Sequence, residues 1–232
     1  SVAAGSPFRE RTFVFGVLDS DQINAFAMPG GYIFVTRGTL LAAQSEAELA
    51  GILGHEIAHV GKRHIFDAML QRASSGDKDS AKSRAEVPAI DARKRPAGSS
   101  STTAATIAAV IGGGAGGTFN VLAAVQGGLG ILLEDGLDPS LENEADTEGV
   151  QYAMAAGYEP RALKSYFERV FKKGSPDKTA VLSKTHPSIT LRIQNVDRLI
   201  KNSVPTDYRG ALGEERFRAA VRSLAMAQPK SN

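Results

Sequence analysis

The sequence predicts an α+β protein, predominantly helical, in which a small antiparallel sheet precedes a helix carrying His55-Glu56-Ile57-Ala58-His59. Three observations predict it. Residues 11–18 alternate Thr12, Val14 and Gly16 with Phe13, Phe15 and Val17, the period of a strand, and two further short runs flank Pro29-Gly30-Gly31. Ser45-Glu46-Ala47-Glu48 reads as a capping box, in which the Ser45 hydroxyl takes the Glu48 amide and the Glu48 carboxylate reaches back to the Ser45 amide. Beyond it the chain reads as helices joined by loops.

Taken in order, Asp19-Ser20-Asp21 ends the first strand, and 23–28 and 32–36 pair across the Pro-Gly-Gly turn. On the helix that follows, at about 100° per residue, Leu49, Leu53, Ile57 and Val60 form one apolar stripe, with His55 and His59 together roughly 120° from its centre. A stripe of small residues, Gly51, Gly54, Ala58 and Gly61, admits close approach of another helix. Residues 74–95 mix charge and Ser without a firm period and read as a mobile loop. Residues 96–133 lack charge but hold nine glycines, which favours a buried or lid-like helical hairpin over a membrane hairpin, the alternative for an apolar stretch of this length. Asp138-Pro139-Ser140 then starts a helix that Gly157 and Pro160 stop. Amphipathic helices are expected at 160–173, 191–202 and 213–227. One domain, 1–232, accommodates all of this.

Two imidazoles four residues apart with a glutamate between them can hold a zinc ion and a base on one helix. His55 and His59 use half of the four histidines present. Glu56, close to the apolar stripe, is costly there unless it borders a polar cleft or a cation. A catalytic zinc site generally has three protein ligands and one open position. His64 lies five residues beyond His59, about 140° round a continuous helix, and reads as a polar residue of its later turns. Glu142 and Asp146, four apart on one helical face beside Gly149 and Ala153, offer a better third ligand in Glu142, with Asp146 accepting a ring N–H from a ligand histidine.

Together, His55-Glu56-Ile57-Ala58-His59, Glu142-Asn143-Glu144-Ala145-Asp146, Thr185-His186-Pro187 with Arg192-Ile193, and Asn24 to Ile33 resemble the gluzincin zinc metallopeptidases of the CAAX prenyl endopeptidase and HtpX type. The motifs occur in the family's order over residues 12–200. The resemblance implies a zincin-like core and one zinc ion per chain on His55, His59 and Glu142, with Glu56 as general base and Asp146 behind the ligands. It implies that His186 reaches the metal cleft, where it steadies an oxyanion or, in a closed state, fills the open zinc position. Arg192 would anchor the His186 loop by an ion pair, and Ser188 can cap the helix after it. An exposed sheet edge holds extended substrate in such enzymes, which makes Asn24, Ala25, Phe26 and Ala27 the candidate edge; a purely structural strand is the other reading.

Composition agrees. With 42% hydrophobic residues the 232-residue chain can bury a core, and a net charge of +2 gives no reason to expect nucleic acid. The absence of Cys excludes disulfides, thiol catalysis and Cys-ligated zinc. No signal peptide is visible at Ser1-Val2-Ala3-Ala4, and the lack of a starting Met points to a processed or truncated chain. The resemblance favours a periplasmic or otherwise extracytoplasmic home. Expected partners are polypeptide substrates, with membrane-associated proteins as a further class. The expected function is zinc-dependent endopeptidase action on extended or unfolded polypeptides in envelope quality control. A zinc-stabilised peptide-binding or chaperone-like module with little proteolysis is the alternative.

Overall fold

The computed structural model describes residues 1–74, 136–173 and 176–226. The hairpin or lid expected at 96–133 lies outside these, as does the loop expected at 74–95 apart from Ser74. The order is a single 3-10 turn (Ala3–Gly5), β1 (Val14–Leu18), β2 (Ala25–Met28), β3 (Tyr32–Thr36), α1 (Arg37–Ala42), α2 (Glu46–Gly61), α3 (His64–Ser74), α4 (Pro139–Ala155), α5 (Ala162–Lys173), α6 (Pro176–Thr185), α7 (Ile189–Ser203) and α8 (Glu214–Met226).

The sheet is mixed, not antiparallel as expected. Strand order is β1-β3-β2: β2 and β3 form the hairpin, with Phe26 opposite Phe34, while β1 runs parallel to β3, with Gly16 opposite Phe34. Gly30 and Gly31 turn the hairpin at φ +93° and +91°, values closed to most side chains. Between β1 and β2 the chain crosses the end of β3, where the Gly38 amide donates to Ser20 O at 2.9 Å. Alternation tells a strand which face to bury, not which neighbour to take. β2 is buried along its whole length, whereas Val14, Phe15 and Val17 of β1 are exposed.

Half of the capping box forms. Ser45 Oγ accepts from the Glu48 amide at 3.1 Å, but Glu48 turns to the Gln44 amide at 2.7 Å and to the Arg169 guanidinium. α4 begins as expected, with Asp138 accepting from Ser140 N at 2.8 Å and Pro139 in the first turn, where its missing N–H costs nothing. Such caps are worth about 1 kcal/mol each. Burial contributes more, about 1.5–3 kcal/mol for each enclosed Leu, Ile, Val or Phe side chain. Ile52, Val150, Leu163, Phe167 and Val196 make one core with β2 and β3, and Ile33, Ile57, Ala58, Ala145 and Tyr152 make another on the far side of α2.

α2 therefore runs through the interior. Among the described residues its small-residue stripe meets α4, Leu163 and Phe8. At Gly54 a Cβ would stand 2.7 Å from Gly149 O, so the α2 and α4 backbones touch there and only glycine fits. Leu49, Leu53 and Val60, expected to face the core, are only partly buried, while His55, Glu56 and His59 are enclosed. No helix among the described residues is long and apolar enough to cross a membrane.

Candidate metal centre

The contact of α2 with α4 carries Glu142 to the paired imidazoles. His55 Nε2 and His59 Nε2 lie 2.9 Å apart, and the Glu142 oxygens stand 3.5 Å from the first and 3.4 Å from the second. Between α6 and α7, His186 places Nδ1 3.0 Å from Glu142 Oε2 and 3.4 Å from His55 Nε2. Each of the four residues offers one donor atom within 4.8 Å of the others, and none is more than 4% exposed. Tetrahedral coordination at bonds of about 2.0–2.1 Å puts neighbouring donors roughly 3.3 Å apart. The observed spacings and the nitrogen and carboxylate donor set fit a divalent transition ion.

The surrounding charges are paired with one another. His55 Nδ1–H donates to Asp146 Oδ1 at 2.9 Å, which leaves its Nε2 lone pair facing the cluster. Arg192 donates to both Asp146 oxygens at 2.6 and 2.7 Å, approaches Glu142 Oε2 at 3.0 Å, and lies over the Phe167 ring. Burial pushes the Glu142 carboxyl up, but His186 and Arg192 outweigh it and hold the group well below the usual carboxylate range. Burial likewise raises Asp146, and Arg192 more than reverses it. For His186 burial acts downward, and the Glu142 carboxylate, helped by Glu56, overrides it and pushes the ring up to about 9. His59, buried and beside His55, is pulled down to about 3, so its ring is neutral.

Glu56 differs from its neighbours. It is 2% exposed, its Oε2 has no hydrogen-bond partner among the described residues, and burial raises its pKa despite the attraction of His186. A cavity of about 20 Å³, lined by His55, Glu56 and His186 among others, lies beside it, room for about one water. A buried carboxylate oxygen without a donor is costly and calls for an explanation, which a water or ion held in this cleft would supply.

Of the remaining expected site residues, Ala25, Phe26 and Ala27 lie in β2, the outer strand on the cluster side, while Asn24 precedes it. Asn24 O accepts from the Thr36 amide at 3.0 Å, so by antiparallel alternation Ala25 and Ala27 turn their main-chain groups away from β3, to an edge that is enclosed rather than exposed as expected. There His186 Nε2–H donates to Ala25 O at 3.0 Å. Asn24 is instead tied inward, its Oδ1 accepting from Thr185 at 3.2 Å and its O from Thr39 at 2.8 Å. Ser188 does precede α7, but at φ +61° and without a side-chain cap.

His64 is the residue that sequence reasoning missed. α2 ends at Gly61, Arg63 takes φ +64°, and a new helix starts at His64, which swings the ring back until its Nδ1 is 2.9 Å from His59 Nδ1. A position 140° round from His59 requires one uninterrupted helix. Gly61-Lys62-Arg63, a glycine followed by basic residues, is a helix-stop signal that could have revealed the break.

Comparison with known proteins agrees with this geometry. The chain is 31% identical over 160 residues to a putative beta-barrel assembly-enhancing protease of Vibrio cholerae, covering 68% of this chain and 28% of that protein. It is 25% identical over 215 residues to the beta-barrel assembly-enhancing protease of Escherichia coli, 92% of this chain and 39% of the relative. It is 29% identical over 175 residues to the mitochondrial metalloendopeptidase OMA1 of Schizosaccharomyces pombe, 75% of this chain and 42% of the relative. The chain thus matches less than half the length of each of these relatives. Residues 1–200 match the profile of Peptidase family M48, and the chain belongs to that family.

Proposed function

We propose that this chain, as one domain over 1–232, is a zinc-dependent endopeptidase of the gluzincin, CAAX prenyl endopeptidase and HtpX type, cutting extended or unfolded polypeptides. The observation that carries the reading is the meeting of His55, His59 and Glu142, from two separate helices, beside a buried Glu56 whose Oε2 has no partner among the described residues. His55, His59 and Glu142 would hold the zinc ion, which when bound supplies the Lewis acidity that lowers the pKa of water and polarises a scissile carbonyl. Glu56, with its raised pKa, takes the attacking water's proton on Oε2 and returns it to the departing amine. The outer edge of β2, at Ala27 and, once the His186 contact is released, at Ala25, would pair with the main chain of an extended substrate, a mode that tolerates many sequences. Asp146 and Arg192 keep His55 oriented. The relatives' names, beta-barrel assembly-enhancing protease above all, support a periplasmic or otherwise extracytoplasmic role in quality control near membrane-associated proteins.

A test uses metal analysis with casein cleavage. Glu56→Gln should keep zinc and lose about 10²–10⁴-fold in rate, the usual worth of a general base. His59→Ala should lose both zinc and cleavage. Normal turnover by Glu56→Gln would remove the base from this account.

The place of His186 supports a second reading. Its Nδ1 stands where a fourth donor would, which suits a closed site in a peptide-binding or chaperone-like module. As a gate His186 would give faster cleavage when changed to Ala, and as an oxyanion donor slower cleavage. An unchanged rate rejects both. Zinc-dependent peptide binding without cleavage across a varied substrate panel would favour the module.

A further inference from the structure

Behind His59 lies a chain of groups that the proposed reaction does not use. His64, 5% exposed, puts Nδ1 2.9 Å from His59 Nδ1 and Nε2 3.1 Å from Glu144 Oε2. Glu144 in turn receives Lys62 Nζ at 2.9 Å. The direction of the hydrogen bonds follows from the far end. An ionised carboxylate only accepts, so His64 carries its proton on Nε2 and offers Nδ1 as a lone pair. His59 must then donate from Nδ1, and its remaining lone pair is on Nε2, the atom that faces His55 and Glu142. Either tautomer of an isolated imidazole is accessible; the contact with His64 favours the one that leaves Nε2 free for a metal.

We propose that His64 is a positioning residue for metal binding, which together with Glu144 fixes the ring orientation and tautomer of His59. The inference rests on the reading of His59 as a ligand. It extends the familiar pairing of a ligand histidine with a carboxylate by one further imidazole. The left-handed Arg63 is part of the device, because it ends α2 early enough for His64 to turn back over His59.

The test is zinc affinity of the full chain, measured by competition with a chromophoric chelator, alongside thermal melting of the metal-free protein. His64→Ala should weaken zinc about 10- to 100-fold, the usual effect of losing such a partner. His64→Asn, whose Oδ1 can take the place of Nδ1, should recover most of that loss, which restored volume alone would not do. Glu144→Gln can still accept from His64 Nε2–H and should lose less than His64→Ala. In the metal-free parent, nitrogen NMR should find the His59 proton on Nδ1. Zinc affinity within about twofold of the parent in His64→Ala, or His64→Asn as weak as His64→Ala, overturns the proposal while leaving the peptidase reading intact. Should His64→Ala fail to fold, the His59 tautomer and the affinity of His64→Asn decide the question. A parent chain that binds no zinc overturns both readings.

Discussion

His55 and His59 stand one turn apart on the same helix, yet their outward-facing nitrogens meet different surroundings. Behind His55 are Asp146 and Arg192, with side chains 1% and 3% exposed, in direct contact with each other. Behind His59 is a second imidazole, then Glu144 and Lys62, 42% and 34% exposed, at the surface. The first arrangement balances charge away from solvent, and losing any member leaves an uncompensated ion. The second hands its charge to solvent, which can replace what is removed. The difference teaches that one pair of clustered imidazoles is held by two means, one costly to disturb and the other tunable.

The largest expected effect is therefore Arg192→Met. It leaves Asp146 and Glu142 buried without their main permanent cation, and breaking a buried pair in this way costs about 3–5 kcal/mol. Urea denaturation of the metal-free protein measures it. A loss below about 1 kcal/mol would show that His186 and rearranged water can carry the charge, and the contrast between the two sides would disappear.

Next comes Gly54→Ala, which acts on what both sides share. The added methyl meets Gly149 O at 2.7 Å, so α4 must move away from α2. Overpacking of this kind costs about 1–3 kcal/mol. Because Glu142 and Asp146 ride on α4, zinc affinity should fall with stability. Unchanged zinc affinity in a destabilised variant would mean that the centre adapts independently of the helix contact.

That contact shows how much can be read from sequence. The start of α4 at Asp138-Pro139, its small face at Gly149 and Ala153, and the spacing of Glu142 and Asp146 are local signals, and each places its residue where the structure has it. The Ser45 cap likewise sets the start of α2, and the four donors of the cluster stand on residues singled out by spacing and resemblance. What cannot be read is non-local or marginal. Strand alternation does not reveal that β1 crosses to pair parallel with β3. The burial of His55 and Glu56 ahead of Leu49 and Leu53 depends on α4, α5 and the sheet enclosing α2 from several sides. Helices α1, α3 and α6 do not stand out in the sequence, and α1, at six residues, is too short for periodicity to show. The misplacement of His64 follows directly from extending α2 past Gly61.

The smallest effect is expected at the solvent end of the His59 side. Lys62 Nζ bridges Glu144 at 2.9 Å and Glu148 at 3.1 Å, and these two carboxylates hold its pKa above the usual lysine value. Water competes for all three groups. Lys62→Ala should thus cost no more than about 0.5 kcal/mol, as exposed pairs do. The loss should shrink further when ionic strength is raised from about 0.05 M to about 0.5 M, since screening weakens surface pairs first. Arg192→Met, measured over the same salt range, should keep nearly its full cost, because the charges it strands are out of reach of ions. If the two variants respond to salt alike, burial is not what separates the two sides, and the tunable character assigned to the His59 side would have to come from the His64 ring alone.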